Sequence, residues 1–384
     1  MAHFGLLVNT GSRDEAVDEH GMAHFIEHVI FKGTKKRRAY HILSRLDDVG
    51  GDLNAYTTKE ETAFYASFLS QHYERTIELI GDIVFNSVFP AGELDKEREV
   101  IIDEINSYKD SPSELIFDDF EELIYANHPI GRNILGTPET INSFGRKNID
   151  KFLKNNYHTD QMVLCSVGKI KFDKLVRLAE KYFGEIPENI RNSKRKPFKN
   201  YKAVESIKEM DTHQIHCILG NVAYNVRNKK RLSLVLLNNL LGGQGLNSRL
   251  NLSLREKYGY AYNVESSFTP YFDTGVLSIY FGTDKDKFDK SLKLVHKELS
   301  KLRTQKLGPL QLKRAKDQMI GQIAISTDSN ENLLFTLGKS YLLFDKFEDL
   351  KNVNAKINAI TADQLLDVAN ESLDPAQLSL LTYK

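Results

Sequence analysis

The run His24-Phe25-Ile26-Glu27-His28 constrains this chain more than any other stretch. At about 100° per residue, positions i and i+4 of a helix share one face a single turn apart, so two imidazoles placed there can reach the same cation. Glu27 stands three residues after His24 and faces the same side. Nitrogen ligands suit zinc. A catalytic zinc takes three protein ligands and keeps one position open, so two histidines require a third partner from elsewhere. A carboxylate beside the metal but not bound to it can take a proton as water attacks a carbonyl. The letters read H-x-x-E-H, the inverse of the commoner H-E-x-x-H. Three fixed letters also arise by chance in a chain with 11 histidines, so a helix with two surface histidines is the plain alternative.

An acidic helical segment at 93–104 can supply the missing ligand. Glu97 and Glu104 lie seven residues apart, which is two helical turns, so both carboxylates point the same way. One can bind the metal while the other orients a histidine or the base. The bland reading of the same run is a solvated charged helix.

Together these residues resemble the M16 family of metallopeptidases, the inverzincins of the pitrilysin, insulin-degrading and mitochondrial-processing type. In that family a ligand glutamate follows H-x-x-E-H by about 75 residues on a second helix. Glu104 stands 76 positions after His28. The flanking text agrees, with Gly11-Ser12-Arg13-Asp14-Glu15 before the motif and Phe31-Lys32-Gly33-Thr34 after it. The resemblance implies one Zn²⁺ per chain on His24, His28 and Glu104, with Glu27 as general base and Glu97 as the supporting carboxylate. It also implies an α+β fold of two homologous α/β domains, each a mostly antiparallel mixed sheet covered by helices.

Length and composition are compatible with this. At 384 residues the chain is long enough for about two domains with their own cores. Lys plus Arg equals Asp plus Glu at 52 each, so nothing in the net charge suggests nucleic acid or an anionic membrane as partner. Cys165 and Cys217 sit in apolar surroundings and read as buried thiols of a reducing compartment. No apolar run approaches the roughly 18 residues of a membrane span, and no basic-then-apolar leader is present, so a cytoplasmic location is expected. Residues 1–8 read as a strand already under way. Relatives of this type usually begin with an additional strand or hairpin ahead of that point.

Periodicity suggests a duplication. The first half runs strand (4–8), metal helix (about 22–31), helix (40–49), two β-like runs (54–69), then long helices at 72–86 and 93–108. The second half repeats the order: strand 214–219, helices 230–241 and 246–257, strands 262–268 and 275–281, helices 288–302 and 310–326. Aligning Gly33 with Gly243 puts Leu234, Leu237 and Asn238 where His24, Glu27 and His28 stand, so the second half keeps the shape and lacks the metal. The basic, Pro-containing stretch 187–201 reads as a linker between a zinc-bearing domain, 1–186, and a metal-free one, 202–384.

By the same resemblance the second half contributes Arg255 and Tyr262, seven residues apart in Arg255-Glu256-Lys257-Tyr258-Gly259-Tyr260-Ala261-Tyr262. They would hold substrate backbone, with the tyrosine hydroxyl donating to an oxyanion. Tyr260 is the alternative register, and a packed tyrosine with a surface arginine is the plain reading. Asn54 and Ala55 lie on a run that the family uses as a sheet edge, onto which an extended peptide adds as a further strand. Glycines 242, 243 and 245 resemble a loop lining the substrate chamber; no Gly-Lys-Ser/Thr follows, which excludes a phosphate loop. His20 and the turn at His128-Pro129-Ile130-Gly131 read as structural. The expected function is a zinc endopeptidase for peptides or flexible segments, as a homodimer closing a clamshell chamber. The alternative is a non-catalytic or partner-dependent subunit that works as a heterodimer with another M16 chain.

Overall fold

Strand β1 (Ala2–Val8) is buried at every residue instead of at alternate ones. An antiparallel strand buried in this way needs cover on both faces of its sheet. In the computed structural model, which describes residues Met1–Lys384, β1 lies between β3 (Thr62–Phe68) and β4 (Met162–Val167), with β2 (Asp52–Thr57) outside β3. All three pairings are antiparallel. One face carries the large core, in which Phe4, Leu6 and Val8 join Ile26, Phe64, Ile77 and Ile80.

The other face of β1 is covered by helix Asn330–Phe344, which comes from far along the sequence. Leu334 of this helix is fully buried and stands over Gly5, where an added Cβ would lie 3.3 Å from it. A Cβ on Gly338 would come within 2.9 Å of Leu7. Glycine on the helix therefore permits backbone and sheet to approach closely at that point.

The second sheet has the order β5 (Glu205–Lys208), β9 (Ser379–Tyr383), β6 (Ile215–Val222), β8 (Gly275–Thr283), β7 (Ala261–Pro270). Only β5 with β9 is parallel. The run β7-β8-β6-β9 repeats β2-β3-β1-β4 in both order and direction, so the duplication expected from the sequence is present in the topology. One face of this sheet bears its own core of Leu234, Leu237, Ile279 and Phe281 with later helices. The other is covered by helix Pro112–Ile124, whose Ile116, Phe120 and Ile124 pack with Ile218, Tyr280 and Tyr383.

Two compact units follow. One comprises Met1–Ser107, Arg132–Arg195 and Ile325–Phe347; the other comprises Tyr108–Gly131, Lys196–Ala324 and Glu348–Lys384. Both are discontinuous, unlike the contiguous division 1–186 and 202–384 expected from the duplication. The physical reason is reciprocal: each sheet has a second apolar face, and the helix that covers it comes from the other half of the chain. The stretch 187–201 does lack helix and strand, and its first part, up to Arg195, belongs to the first unit.

Several local expectations need adjustment. The segment 246–257 forms a π-helix only over Asn251–Lys257. Cys217 is buried, but Cys165 is only partly so, and both are free thiols. No helix is long and apolar enough to cross a membrane.

Candidate metal centre

The histidine pair sits on helix Met22–Val29, as the i, i+4 spacing requires. Their rings lie edge to face with centroids 4.7 Å apart. The acidic partner is helix Ala91–Lys109, whose buried residues Leu94, Glu97, Ile101 and Ile105 recur at helical spacing. Glu97 lies in that stripe and Glu104 at its margin, so the helix turns both carboxylates toward the histidines. Glu104 Oε2 is 3.8 Å from His24 Nε2 and 3.5 Å from His28 Nε2. The three ligand atoms fall within 4.8 Å of one another.

These distances suit a small dication. Ligands at zinc distances in a tetrahedral arrangement stand about 3.3 Å apart, close to the two His–Glu separations. The two histidines shift in opposite directions. Burial and the neighbouring His28 push the His24 imidazole down to about 4, so it is neutral near pH 7 and keeps a lone pair. Burial also pulls on His28, but its contacts with Glu104 and Glu97 raise it overall, as expected for an imidazole among carboxylates without a metal. The His28 contact holds the Glu104 carboxyl below its ordinary range despite partial burial.

Around this triad the other residues take distinct places. Glu97 Oε2 lies 3.2 Å from His28 Nδ1, the nitrogen turned away from Glu104, and Lys32 Nζ holds the other Glu97 oxygen at 2.7 Å. Glu27 belongs to the same helix as the histidines, and its Oε2 is buried without a hydrogen-bond partner. Burial raises the Glu27 carboxyl, opposed by hydrogen bonding to Thr57. Lys32, quoted only in the flanking motif, and Thr57 were given no role from the sequence. Lys32 follows His28 by four residues, a spacing that hints at its place, whereas Thr57 arrives through strand pairing.

Strand β2 forms the outer edge of the first sheet, next to the metal helix, with Thr57 Oγ1 3.4 Å from the carbonyl of Ala23. Ala55 packs toward the core. Asn54 pairs across to Tyr65, and its amide donates to Asp52 Oδ2 at 2.7 Å. Arg255 and Tyr262 lie in the second unit. Arg255 is on the π-helix, about half exposed, with Glu256 3.8 Å away. Tyr262 is 75% exposed, at an irregularity in β7. Tyr260, the alternative register, instead stacks on Tyr258.

In the second unit, helix Arg231–Gly242 carries no such cluster. Leu234 and Leu237 are buried there, and Asn238 donates to the carbonyl of Ser266. His20 contacts the Asn133 carbonyl and His128 that of Lys196, in keeping with structural roles.

Comparison with known proteins bears on the family of the chain. Residues 1–138 match the family model for insulinase (peptidase family M16), and residues 143–319 match that for the peptidase M16 inactive domain. The chain is 32% identical over 368 residues to the uncharacterized zinc protease YmxG of Bacillus subtilis, covering 96% of this chain and 89% of that protein. It is 34% identical over 366 residues to an uncharacterized zinc protease of Rickettsia felis, covering 95% and 88%. A protease from Helicobacter pylori superposes with a TM-score of 0.91 at 22% identity, covering all of this chain and 94% of that one. A peptidase M16 inactive-domain structure from Pseudomonas fluorescens gives 0.93 at 20% identity, covering 100% and 92%. By fold, by both matched regions and by its zinc-protease relatives, the chain belongs to peptidase family M16.

Proposed function

We propose that this chain is a zinc-dependent endopeptidase that cleaves peptides or flexible protein segments. The observation that carries the reading is the convergence of His24, His28 and Glu104 beside Glu27, whose Oε2 is buried and unpartnered. His24, His28 and Glu104 would hold zinc. When bound, zinc supplies a Lewis acid that polarises a carbonyl and acidifies water. Glu27 is the general base: a carboxylate raised by burial has greater proton affinity than a solvated one, and its idle oxygen is available to accept a proton and pass it to the leaving amine. Glu97 orients His28 through Nδ1, and Lys32 steadies Glu97.

Substrate would add to β2 at Asn54 and Ala55 as an extended strand, because an edge strand offers unpaired backbone groups beside the metal helix. Main-chain pairing of this kind tolerates many side chains. Arg255 and Tyr262 would hold the substrate backbone, with the Tyr262 hydroxyl donating to the oxyanion. Since this one chain carries both sets of residues, a homodimer closing a chamber is the assembly we favour over a heterodimer with another M16 chain.

The test is to incubate purified protein with a mixed peptide library, with and without a chelator, and to measure its mass in solution. Cleavage that stops on chelation and returns with zinc, from a particle of two chains, is expected. Cleavage unaffected by chelation would refute the metal-dependent reading, and activity confined to a mixture with a second M16 chain would replace the homodimer.

A further inference from the structure

The helix that carries both histidines and Glu27 has only eight residues, and it starts without a conventional cap. Its N-cap is Gly21, at φ +94°, which has no side chain to satisfy the first-turn N–H groups. The carboxylate of Glu15 does so from upstream in the chain. Glu15 Oε2 accepts from Gly21 N and Oε1 from Ala23 N, both at 2.9 Å. One carboxyl group thus spans the helix start, with an oxygen on each of two first-turn N–H groups. Glu15 is 4% exposed, so no solvent competes strongly for these bonds.

The clasp is itself anchored from several directions. The Glu15 carbonyl accepts from Arg132 Nη1 at 3.1 Å. Its neighbour Asp14 is gripped by Arg191 and Arg195, each at 2.7 Å. On the far side Gly21 rests against Gly136, where an added Cβ would lie 2.7 Å from the Gly136 Cα. The first turn is therefore held between a fixed carboxylate and a fixed turn. His24 follows Ala23 directly, whereas Glu97 and Glu104 belong to another helix. Loosening the clasp would shift His24 relative to Glu104 more than it would shift Glu104 itself.

We infer that Glu15 is the positioning residue of the metal helix: by clasping the backbone N–H groups of Gly21 and Ala23, it sets His24 against Glu104 and so sets the zinc affinity of the centre. The inference rests on the zinc reading proposed above and goes beyond it, because Glu15 touches neither metal nor substrate. Loss of one oxygen acceptor should weaken zinc binding in protein that is still folded.

The test compares Glu15→Gln and Glu15→Asp with Thr361→Ala, which removes the N-cap bond to Gln364 N in a helix of the second unit. Melting temperature of the metal-free protein and zinc dissociation constant, by chelator competition below the melting point, are measured for each. All three variants should melt earlier. Glu15→Gln should bind zinc about tenfold more weakly, while Thr361→Ala binds as wild type. If Glu15→Gln does not fold, Glu15→Asp, which is one methylene short, serves the same comparison. Wild-type zinc affinity in the folded Glu15 variant would overturn the inference while leaving the zinc reading intact. A wild-type protein that binds no zinc would remove both.

Discussion

His28 Nδ1 and Glu97 Oε2 lie 3.2 Å apart, and this contact decides which nitrogen of His28 is free. A proton on Nδ1, donated to Glu97, leaves the Nε2 lone pair facing Glu104 and His24. Lys32, 2.7 Å from the other Glu97 oxygen, fixes that carboxylate in place. Glu97→Ala should therefore weaken zinc binding by about 10- to 100-fold, as measured by chelator competition, with the fold retained in circular dichroism. Unchanged zinc affinity would show that Glu97 is only part of the packing.

Tyr262 offers a contrasting case. Its side chain is 75% exposed and contributes little to the core, so Tyr262→Phe should leave the melting temperature within about a degree of wild type. Peptide cleavage should nevertheless fall by about 100-fold, mainly in kcat, if its hydroxyl donates to the oxyanion. Equal kcat in the two proteins would remove Tyr262 from the reaction, and the same measurement on Tyr260→Phe tests the other register.

Asp14 gives a pH prediction remote from the metal. Burial alone would raise its carboxyl, but the Arg195 and Arg191 guanidinium groups outweigh this and hold it below the ordinary 3.8. With a folded value below the unfolded one, the unfolded chain binds more protons as the solution is acidified. The stabilisation is therefore complete above the unfolded value and is lost as pH falls through the folded one. Asp14→Asn should cost about 3 kcal/mol near neutrality, because two partly buried arginines lose a carboxylate they share, and this deficit should shrink below about pH 4. Urea midpoints that stay a constant distance apart from pH 7 to 3 would contradict this account.

Leu334 tests the exchange of helices between the halves of the chain. It is fully buried over Gly5 of β1, although it comes from the second half of the sequence. Leu334→Ala should destabilise by about 2–5 kcal/mol, and amide exchange should quicken in β1 and β4 of the first sheet. Faster exchange confined to the second sheet would contradict the assignment of this helix to the first.

Much of this was legible in the sequence where the information is local. The placing of His24, Glu27 and His28 follows from helical spacing alone, and the paired β-runs at 54–69 became β2 and β3. The repeated order of elements was readable too, since hydrophobic periodicity is set by near neighbours. Glu104 was different: spacing admitted either Glu97 or Glu104 as the ligand, and the resemblance to M16 enzymes favoured Glu104. The helices Pro112–Ile124 and Asn330–Phe344 show where local pattern ends. An apolar helix face says that something must cover it and does not say which sheet. Glu15 was quoted in the flanking motif without a role, because its partners are backbone N–H groups, which leave no trace in side-chain spacing.

The most direct measurement pairs zinc content with peptide cleavage in wild type and Glu27→Gln. Glu27 lies beside the triad and is not one of its three ligands, so the substitution should leave about one zinc per chain in both proteins while cleavage falls by at least about 100-fold in the variant. Cleavage by Glu27→Gln at the wild-type rate, with zinc bound, would contradict the account at its centre.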